Sequence, residues 1–299
     1  MVRQLQVRML GKFEVSWNGQ CLTTLDGQKN QELLAYLLLH KDVPLSREKV
    51  AHLMWPDCSS TFQAKKYLRK ALWKIQSSFS IEPELQAILK VDPEWIELIN
   101  REWLAVDVFD LEEAYRMVEN QEGALLNDSS IDLLDAIVQN YRGEFLEGRY
   151  MDWCLFVRER FELMFLILLD KLMNYCEINH FYERGCFYGL NILRFDPARE
   201  QTHRRLMRLY AKANMRVEAI RQYNLCNQIL KDELDIEPSQ LTKQVFYAIL
   251  ADAGAFDRVP VANGNEQLVV NSNIINCIGK IEDSLTELKQ IVYENGLAQ

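Results

Sequence analysis

Residues Ser60–Phe79 read STFQAKKYLRKALWKIQSSF, and this stretch carries the clearest pattern in the chain. Its apolar residues recur at steps of three and four, which predicts an amphipathic helix with one face buried. The other faces carry basic side chains, and no acidic residue lies between Cys58 and Ile81. Such a helix can anchor in a core while presenting cations to phosphates and base edges. On this stretch alone, two interpretations are open: a nucleic-acid-binding helix or a solvated basic surface.

The charge of the chain is unevenly distributed. The 299 residues carry a formal net charge of −9, and the composition, 48% hydrophobic and 26% charged, is that of a folded protein. Residues 1–100 hold 13 basic and 11 acidic side chains, whereas residues 101–299 hold 21 and 32. An acidic body disfavours indiscriminate binding to nucleic acid, while a local basic patch can still dock.

The cysteines and apolar segments predict a cytoplasmic protein without a membrane partner. The seven cysteines are scattered and include no CxxC pair, which favours free thiols in a reducing compartment. The N-terminus lacks an apolar signal core. The longest apolar run, Met164–Leu169, is far too short to cross a bilayer.

The first 100 residues predict a small sheet, two helices, the basic helix and a hairpin, in that order. Asn18-Gly19 lies between two β-rich runs and is a strong hairpin signal. A leucine-rich helix is expected over Gln28–His40, and Ser46 begins a second, shorter one. After the basic helix, two β-rich runs meet at Asp92-Pro93-Glu94. This is the layout of a winged helix-turn-helix, whose third helix enters the major groove.

Two segments carry a family resemblance. QKNQELLAYLLLHKDVPLSREKVAHLMWPD (residues 28–57) and AKKYLRKALWKI (residues 64–75) resemble the OmpR-type winged helix of the SARP family of antibiotic regulatory proteins. The resemblance implies that the second segment is the recognition helix. The residues it places toward DNA are Lys65, Lys66, Arg69, Lys70, Trp73 and Lys74.

The chain departs from that family at two places. Gln76 and Ser77 stand where the family usually has two arginines. The hairpin tip Asp92-Pro93-Glu94 carries acids where a DNA-contacting wing favours cations. We therefore expect that the wing makes weak phosphate contacts and that the protein binds DNA with moderate affinity.

Residues 101–255 predict helix after helix, with an internal repeat. Four residues recur at a shift of 35, which is typical of tetratricopeptide-like helix pairs that stack to bury their apolar faces. The alternative is a helical domain whose repeat is coincidental. The recurring residues are Tyr175, Glu183, Tyr188 and Leu190, matched by Tyr210, Glu218, Tyr223 and Leu225.

This helical region also resembles the bacterial transcriptional activator domain that follows the winged helix in the same family. The segments that carry the resemblance are NYRGEFLEG (140–148), FDPAREQTHRRLMRLYAKANMRVEAIRQY (195–223) and LKDELDIEPS (230–239). Together the two resemblances span about residues 3–250, in the family's order.

The C-terminal region predicts a linker over residues 256–272 and an amphipathic helix over residues 273–299. Large apolar residues there alternate at steps of four and three, which indicates a heptad seam. Such a seam can pair with a second chain or dock back onto the body, and the sequence leaves both open. The seam residues are Ile274, Ile278, Ile281, Leu285, Leu288 and Val292.

Motifs for catalysis or metal binding are absent from the sequence. It contains no GxxxxGK[ST], GxGxxG or HExxH pattern. Cys176, His180 and Cys186 are near one another but fit no zinc spacing. Asp107 and Asp110 follow a β-like run, but this lone acid pair does not make a phosphoacceptor site. We therefore expect no catalytic residues, no metal, no cofactor and no enzymatic activity.

The predicted fold is mainly α: a winged helix over residues 1–100, a tetratricopeptide-like domain over 101–255, and the C-terminal helix. The resemblance implies a transcriptional activator that binds promoter direct repeats and recruits RNA polymerase. The expected partners are double-stranded DNA, RNA polymerase and a second copy of the chain; a small-molecule effector stays open. The alternative is a helical-repeat scaffold that binds protein or ligand and whose winged domain does not bind DNA.

Overall fold

The structure is a computed structural model that describes residues 4–25, 27–99, 101–251 and 279–280. Within them the chain forms two compact units. Of these residues, the first unit contains those up to Asp110, Tyr141–Arg158 and Lys280, and the second contains Leu111–Asn140, residues 159–251 and Gly279. The fold is mainly helical with small sheets near the N-terminus, as predicted.

The N-terminal elements follow the predicted order of sheet, two helices, basic helix and hairpin. The short elements β4 and α4 were not predicted from the sequence, whereas β7 corresponds to the β-like run before Asp107. In chain order the elements are β1 (Leu5–Arg8), β2 (Glu14–Trp17), β3 (Gln20–Cys21), α1 (Gln28–Leu39), β4 (Leu45–Ser46), α2 (Arg47–Met54), α3 (Thr61–Phe79), α4 (Pro83–Gln86), β5 (Leu89–Val91), β6 (Trp95–Leu98) and β7 (Leu104–Val106).

The first sheet has the strand order β3-β2-β1-β7. Asn18 and Gly19 connect β2 to β3, and both have left-handed backbone conformations, with φ of 48° and 82°. Asparagine and glycine tolerate that conformation, so this turn is the one the sequence predicts. β7 pairs in parallel with β1, placing Leu104 opposite Leu5. One edge of the sheet is therefore formed by a strand that follows β1 by almost a hundred residues in the chain.

The carboxylate of Asp107 holds the end of β1. It accepts hydrogen bonds from the backbone N–H groups of Met9 and Leu10, each at 2.9 Å. Burial raises the pKa of Asp107, although these hydrogen bonds and one from Val108 act in the opposite direction. Asp107, which was not predicted to be a phosphoacceptor, is thus a structural residue of the first unit.

The segment after Tyr141 packs on the same strand end. Leu10 forms an antiparallel bridge with Phe145, which is fully buried. The ring of Trp153 lies between Phe145 and Tyr36, with centroids 6.2 and 5.2 Å away. Residues 141–158 therefore complete the core of the winged-helix unit.

The second sheet is the wing, with the strand order β4-β6-β5. β5 and β6 are antiparallel, and Val91 lies opposite Ile96. The backbone N–H of Asp92 donates to the carbonyl oxygen of Trp95 at 2.9 Å and closes the hairpin tip. The predicted hairpin is confirmed, with β4 as an additional short strand.

The region from residue 101 to residue 255 was predicted to be helical, and seven helices are described in it. These helices are α5 (Asp107–Val118), α6 (Asp128–Asn140), α7 (Asp152–Ile178), α8 (Tyr182–Phe195), α9 (Glu200–Lys212), α10 (Arg216–Leu234) and α11 (Gln240–Leu250). The predicted C-terminal helix, and the linker before it, lie outside the described residues except for Gly279 and Lys280.

The turns between paired helices repeat at a shift of 34 rather than 35. His180 and Asn214 have left-handed conformations, with φ of 62° and 60°. Phe181 and Met215, the next residues, each donate a backbone N–H to the carbonyl oxygen five residues earlier, at 2.9 and 2.8 Å. Residues 34 apart therefore occupy equivalent places in the two helix pairs.

The tyrosines that suggested the shift of 35 have different surroundings. Tyr188 is fully buried and donates to Oδ1 of Asp135 at 2.6 Å. Tyr223 is only partly buried and stacks on Phe246 with ring centroids 3.9 Å apart. Tyr188 and Tyr223 are therefore the same residue type but do not occupy equivalent positions in the two helix pairs.

A buried ion pair joins helices of the second unit. The guanidinium of Arg205 on α9 lies 2.6 Å from Asp170 and 2.9 Å from Glu177, both on α7. The charge of this arginine is matched by two carboxylates, as a buried charge requires.

Candidate nucleic-acid interface

The recognition-helix candidate α3 is amphipathic in the way its sequence predicts. Ser60 caps it: its hydroxyl oxygen accepts a hydrogen bond from the backbone N–H of Gln63 at 3.3 Å. The buried face packs in the core of the first unit and fixes which side chains point to solvent. Its buried residues are Ala64, Leu68, Ala71, Leu72, Ile75, Ser78 and Phe79.

The opposite face of α3 presents basic side chains to solvent. Lys66, Arg69, Lys70 and Lys74 are exposed, and none of them forms an ion pair within the described part of the chain. Trp73, on the same face, is 65% exposed. Five of the six predicted site residues therefore share one accessible surface, which we call the basic face.

The sixth residue, Lys65, is held by a neighbouring helix. Its Nζ lies 3.0 Å from Oε2 of Glu48 on α2, at the edge of the basic face. Burial lowers the pKa of nearby His52; Glu48 acts in the opposite direction and Lys65 adds to the lowering. Lys65 thus differs from the other cations in having an acidic partner.

Phe62 also belongs to the basic face, although it was not among the predicted site residues. It is 78% exposed at the start of α3. Phe62 precedes Lys66 by four residues, and Lys66 precedes Lys70 by four, so the three lie on one side of the helix. This spacing was available in the sequence and could have identified it.

Polar contacts fix the other side chains of the first turns. Gln63 donates its side-chain N–H to the hydroxyl of Tyr67 at 3.0 Å and accepts from the hydroxyl of Ser59 at 3.1 Å. The ring of Tyr67 lies near that of Trp55, with centroids 6.2 Å apart. The beginning of α3 is therefore braced by contacts within the protein.

The wing tip is acidic and is tied to α2. The side chains of Asp92 and Glu94 are exposed. Nη1 of Arg47 donates to the carbonyl oxygen of Asp92 at 2.8 Å, and the backbone N–H of Arg47 donates to that of Glu94 at 2.9 Å. Arg47 therefore positions the tip, and the exposed charge there is negative.

The cysteines and histidine considered for zinc have different surroundings. Cys176 and Cys186 are buried, and burial raises the pKa of their thiols to about 11 and about 12. Nδ1 of His180 lies 2.8 Å from the hydroxyl of Tyr182. Among the described residues, no group of three or more His, Cys, Asp and Glu side chains could hold a metal ion.

The predicted oligomerisation residues cannot be placed. Ile274, Ile278, Ile281, Leu285, Leu288 and Val292 all lie outside the described residues. None of the helices in the described ranges combines the length and apolarity needed to cross a membrane.

Comparison with known proteins relates the helical region of the chain to transcription. A family model of the bacterial transcriptional activator domain matches residues 106–250. Among solved structures, Mycobacterium tuberculosis EmbR, in complex with a low affinity phosphopeptide, has a TM-score of 0.66 and 13% identity. The similarity covers 93% of this chain and 71% of the EmbR chain, and at this identity it establishes a shared fold. No curated protein matches the chain.

The matched domain, over residues 106–250, belongs to a family of bacterial transcriptional regulators, which are not enzymes. The likeness to EmbR contributes the shared fold. Together they confirm the predicted SARP-type regulator, in which a winged helix precedes the activator domain.

Proposed function

We propose that this protein is a DNA-binding transcriptional activator that acts in the cytoplasm and reads double-stranded DNA through α3. The observation that carries the proposal is the basic face: four cations without acidic partners among the described residues, on the outside of a helix anchored by its other side. A duplex is the polyanion whose major groove accepts such a helix.

The positions on the basic face assign the roles. Lys66 and Arg69 lie opposite the buried stripe and are proposed to contact base edges, where bidentate contacts to guanine are the commonest. Lys70 and Lys74 are proposed to neutralise phosphates, and Trp73 to pack against the sugar-phosphate backbone. The acidic tip of the wing contributes little attraction, so α3 provides most of the affinity.

The target and partners follow from the resemblance to SARP regulators. We propose that the protein binds direct repeats beside a promoter and recruits RNA polymerase. A two-site target favours two linked winged helices, because tethering raises the effective concentration of the second. The heptad seam between Ile274 and Val292 is the proposed dimer contact.

A gel-shift titration tests the DNA proposal. The probe is the region upstream of the protein's own operon, with an unrelated duplex of equal length as competitor. Lys66→Ala combined with Arg69→Ala should weaken specific binding by roughly 1–3 kcal/mol for each of the two base-reading side chains removed. Arg221→Ala with Lys231→Ala, which removes two cations from α10, is the matched control and should bind normally. Unchanged specific binding by the α3 variant would refute the assignment; no binding by the native protein would favour the scaffold alternative.

Light scattering tests the dimer. The full chain should have twice the monomer mass, and a chain ending at Ala255 should be a monomer. A monomeric full chain would rule out the dimer, and a dimer that survives truncation would move the contact to the helical repeats.

A further inference from the structure

We infer that Phe62 recognises the 5-methyl group of a thymine and thereby sets one base preference of the protein. The inference rests on the proposed function, since it requires α3 to enter the major groove. It concerns a residue to which neither the family resemblance nor the charge pattern assigns a role.

Phe62 is an apolar side chain that lies largely in solvent. At 78%, it is the most exposed of the large hydrophobic residues in the described ranges, and its ring makes no aromatic contact there. Burying a phenylalanine is strongly favourable, so a ring left in water at the start of a capped helix is available for binding. Its removal should not disturb the fold.

The location of Phe62 matches that of a base-contacting residue. It is the second residue of α3, and the N-terminal residues of a recognition helix are those that contact base edges. Lys66 follows one turn later on the same side, so a groove that admits the lysine also admits the ring.

Neighbouring side chains of the first turns are less available for this contact. Gln63, which could otherwise read adenine, is engaged by Ser59 and Tyr67. Trp73 lies eleven residues further along α3, about 16 Å at the rise of an α-helix, and cannot contact the same base pair. Phe62 is therefore the apolar group that the first turn presents.

The chemistry of the groove identifies the contact. The thymine methyl is the apolar group that an A·T pair displays in the major groove, and phenylalanine is among the side chains that contact it. The cations beside Phe62 favour a polyanionic duplex over an uncharged protein surface as the partner. Removal of one buried methyl should weaken binding by about fourfold, the equivalent of one CH₂ group.

The test uses the full chain and a duplex selected by the native protein from a random-sequence library. Each thymine of the selected site is replaced singly by uracil, which removes only the methyl group. The native protein should lose about fourfold in affinity at one position of each half-site. Phe62→Ala should bind the thymine and uracil forms of that position equally, and Phe62→Leu should keep part of the preference.

The matched control is Phe187→Ala, which removes another exposed phenylalanine, from α8, and should respond to uracil as the native protein does. Specific binding without sensitivity to any uracil, or the same sensitivity in Phe62→Ala, would overturn the inference while leaving the proposed function intact. Normal DNA affinity of Phe62→Ala on the thymine duplex would also overturn it and direct the ring to a protein partner. No specific binding by the native protein would overturn both.

Discussion

Nζ of Lys65 lies 3.0 Å from Oε2 of Glu48, and this ion pair joins the third helix of the winged unit to the second. Both side chains are partly exposed, so the pair contributes little to stability. Its effect is on the charge of the interface, because it neutralises one of the five cations of α3.

Glu48→Gln should strengthen DNA binding. The substitution frees Lys65 and removes a negative charge that a phosphate would meet. The slope of log K against log salt should become steeper by about one unit, as expected for one additional phosphate contact. Gel-shift titrations at several salt concentrations measure this slope. Glu218→Gln, which removes the partner of Arg221 on α10, is the control and should leave the slope unchanged. An unaltered slope in Glu48→Gln would show that Lys65 does not reach a phosphate.

Asp170→Ala should destabilise the second unit. The substitution leaves the buried guanidinium of Arg205 with Glu177 as its remaining close partner. Breaking a buried pair costs about 3–5 kcal/mol, and the value should lie near 3 because Glu177 still compensates. Urea denaturation gives the free energy of unfolding. Arg221→Ala, at a side chain that is 75% exposed, should change it by less than about 0.5 kcal/mol. A decrease of under about 1 kcal/mol for Asp170→Ala would contradict the role given to this pair.

Gly189→Ala should be more destabilising than Gly185→Ala. A Cβ atom at Gly189 would lie 2.7 Å from Cδ2 of Leu206 and 2.9 Å from Cε of Met173, so α8 and α9 would have to separate. Such overpacking costs about 1–3 kcal/mol. At Gly185 the closest atom would be 3.1 Å away, and the gain in helix propensity of about 1 kcal/mol offsets much of the strain. Thermal unfolding of the two variants compares them directly. Equal unfolding midpoints would show that the contact between α8 and α9 accommodates a methyl group at Gly189 without extra cost.

The stability contributed by Glu200 should depend on pH. Burial by itself would raise the pKa of Glu200, but hydrogen bonds from Ser239 and Thr242 and the charge of Arg204 outweigh it and lower the pKa below the ordinary 4.5. A carboxylate with a lowered pKa stabilises the fold fully above the ordinary value, and this contribution is lost as the pH falls through the lowered one.

Glu200→Gln measures that contribution. The difference in unfolding free energy between the native protein and this variant should be constant near neutral pH. It should shrink as the pH falls below about 4.5, the ordinary value. Glu218→Gln, which removes an exposed pair with Arg221 on α10, provides a comparison for general charge effects. A difference that grows as the pH falls would contradict the lowered pKa of Glu200.

The sequence predicted those parts of the fold that local patterns encode. Asn18-Gly19 identified a hairpin because few residues tolerate its turn, and the spacing of Leu68, Leu72 and Ile75 identified the buried face of α3. The pairing of β7 with Leu5 was missed because a three-residue strand carries no sign of its partner, and the contact is distant along the chain. The ion pair of Lys65 likewise depends on how α2 and α3 meet. Phe62 was not predicted for a different reason: an apolar residue does not stand out in a pattern of cations, although it has the same helical spacing.

The attachment of Asp107 to the end of β1 has a consequence for protein engineering. A chimaera that borrows residues 1–100 as a DNA-reading cassette would lack β7 and this carboxylate, leaving the backbone N–H groups of Met9 and Leu10 without their acceptor. It would also lack Phe145, whose ring fills the core beside Trp153. A transplant that keeps residues 1–110 and grafts residues 141–158 beside them preserves these contacts. The first unit can therefore be transplanted intact only by moving two separated pieces of chain together.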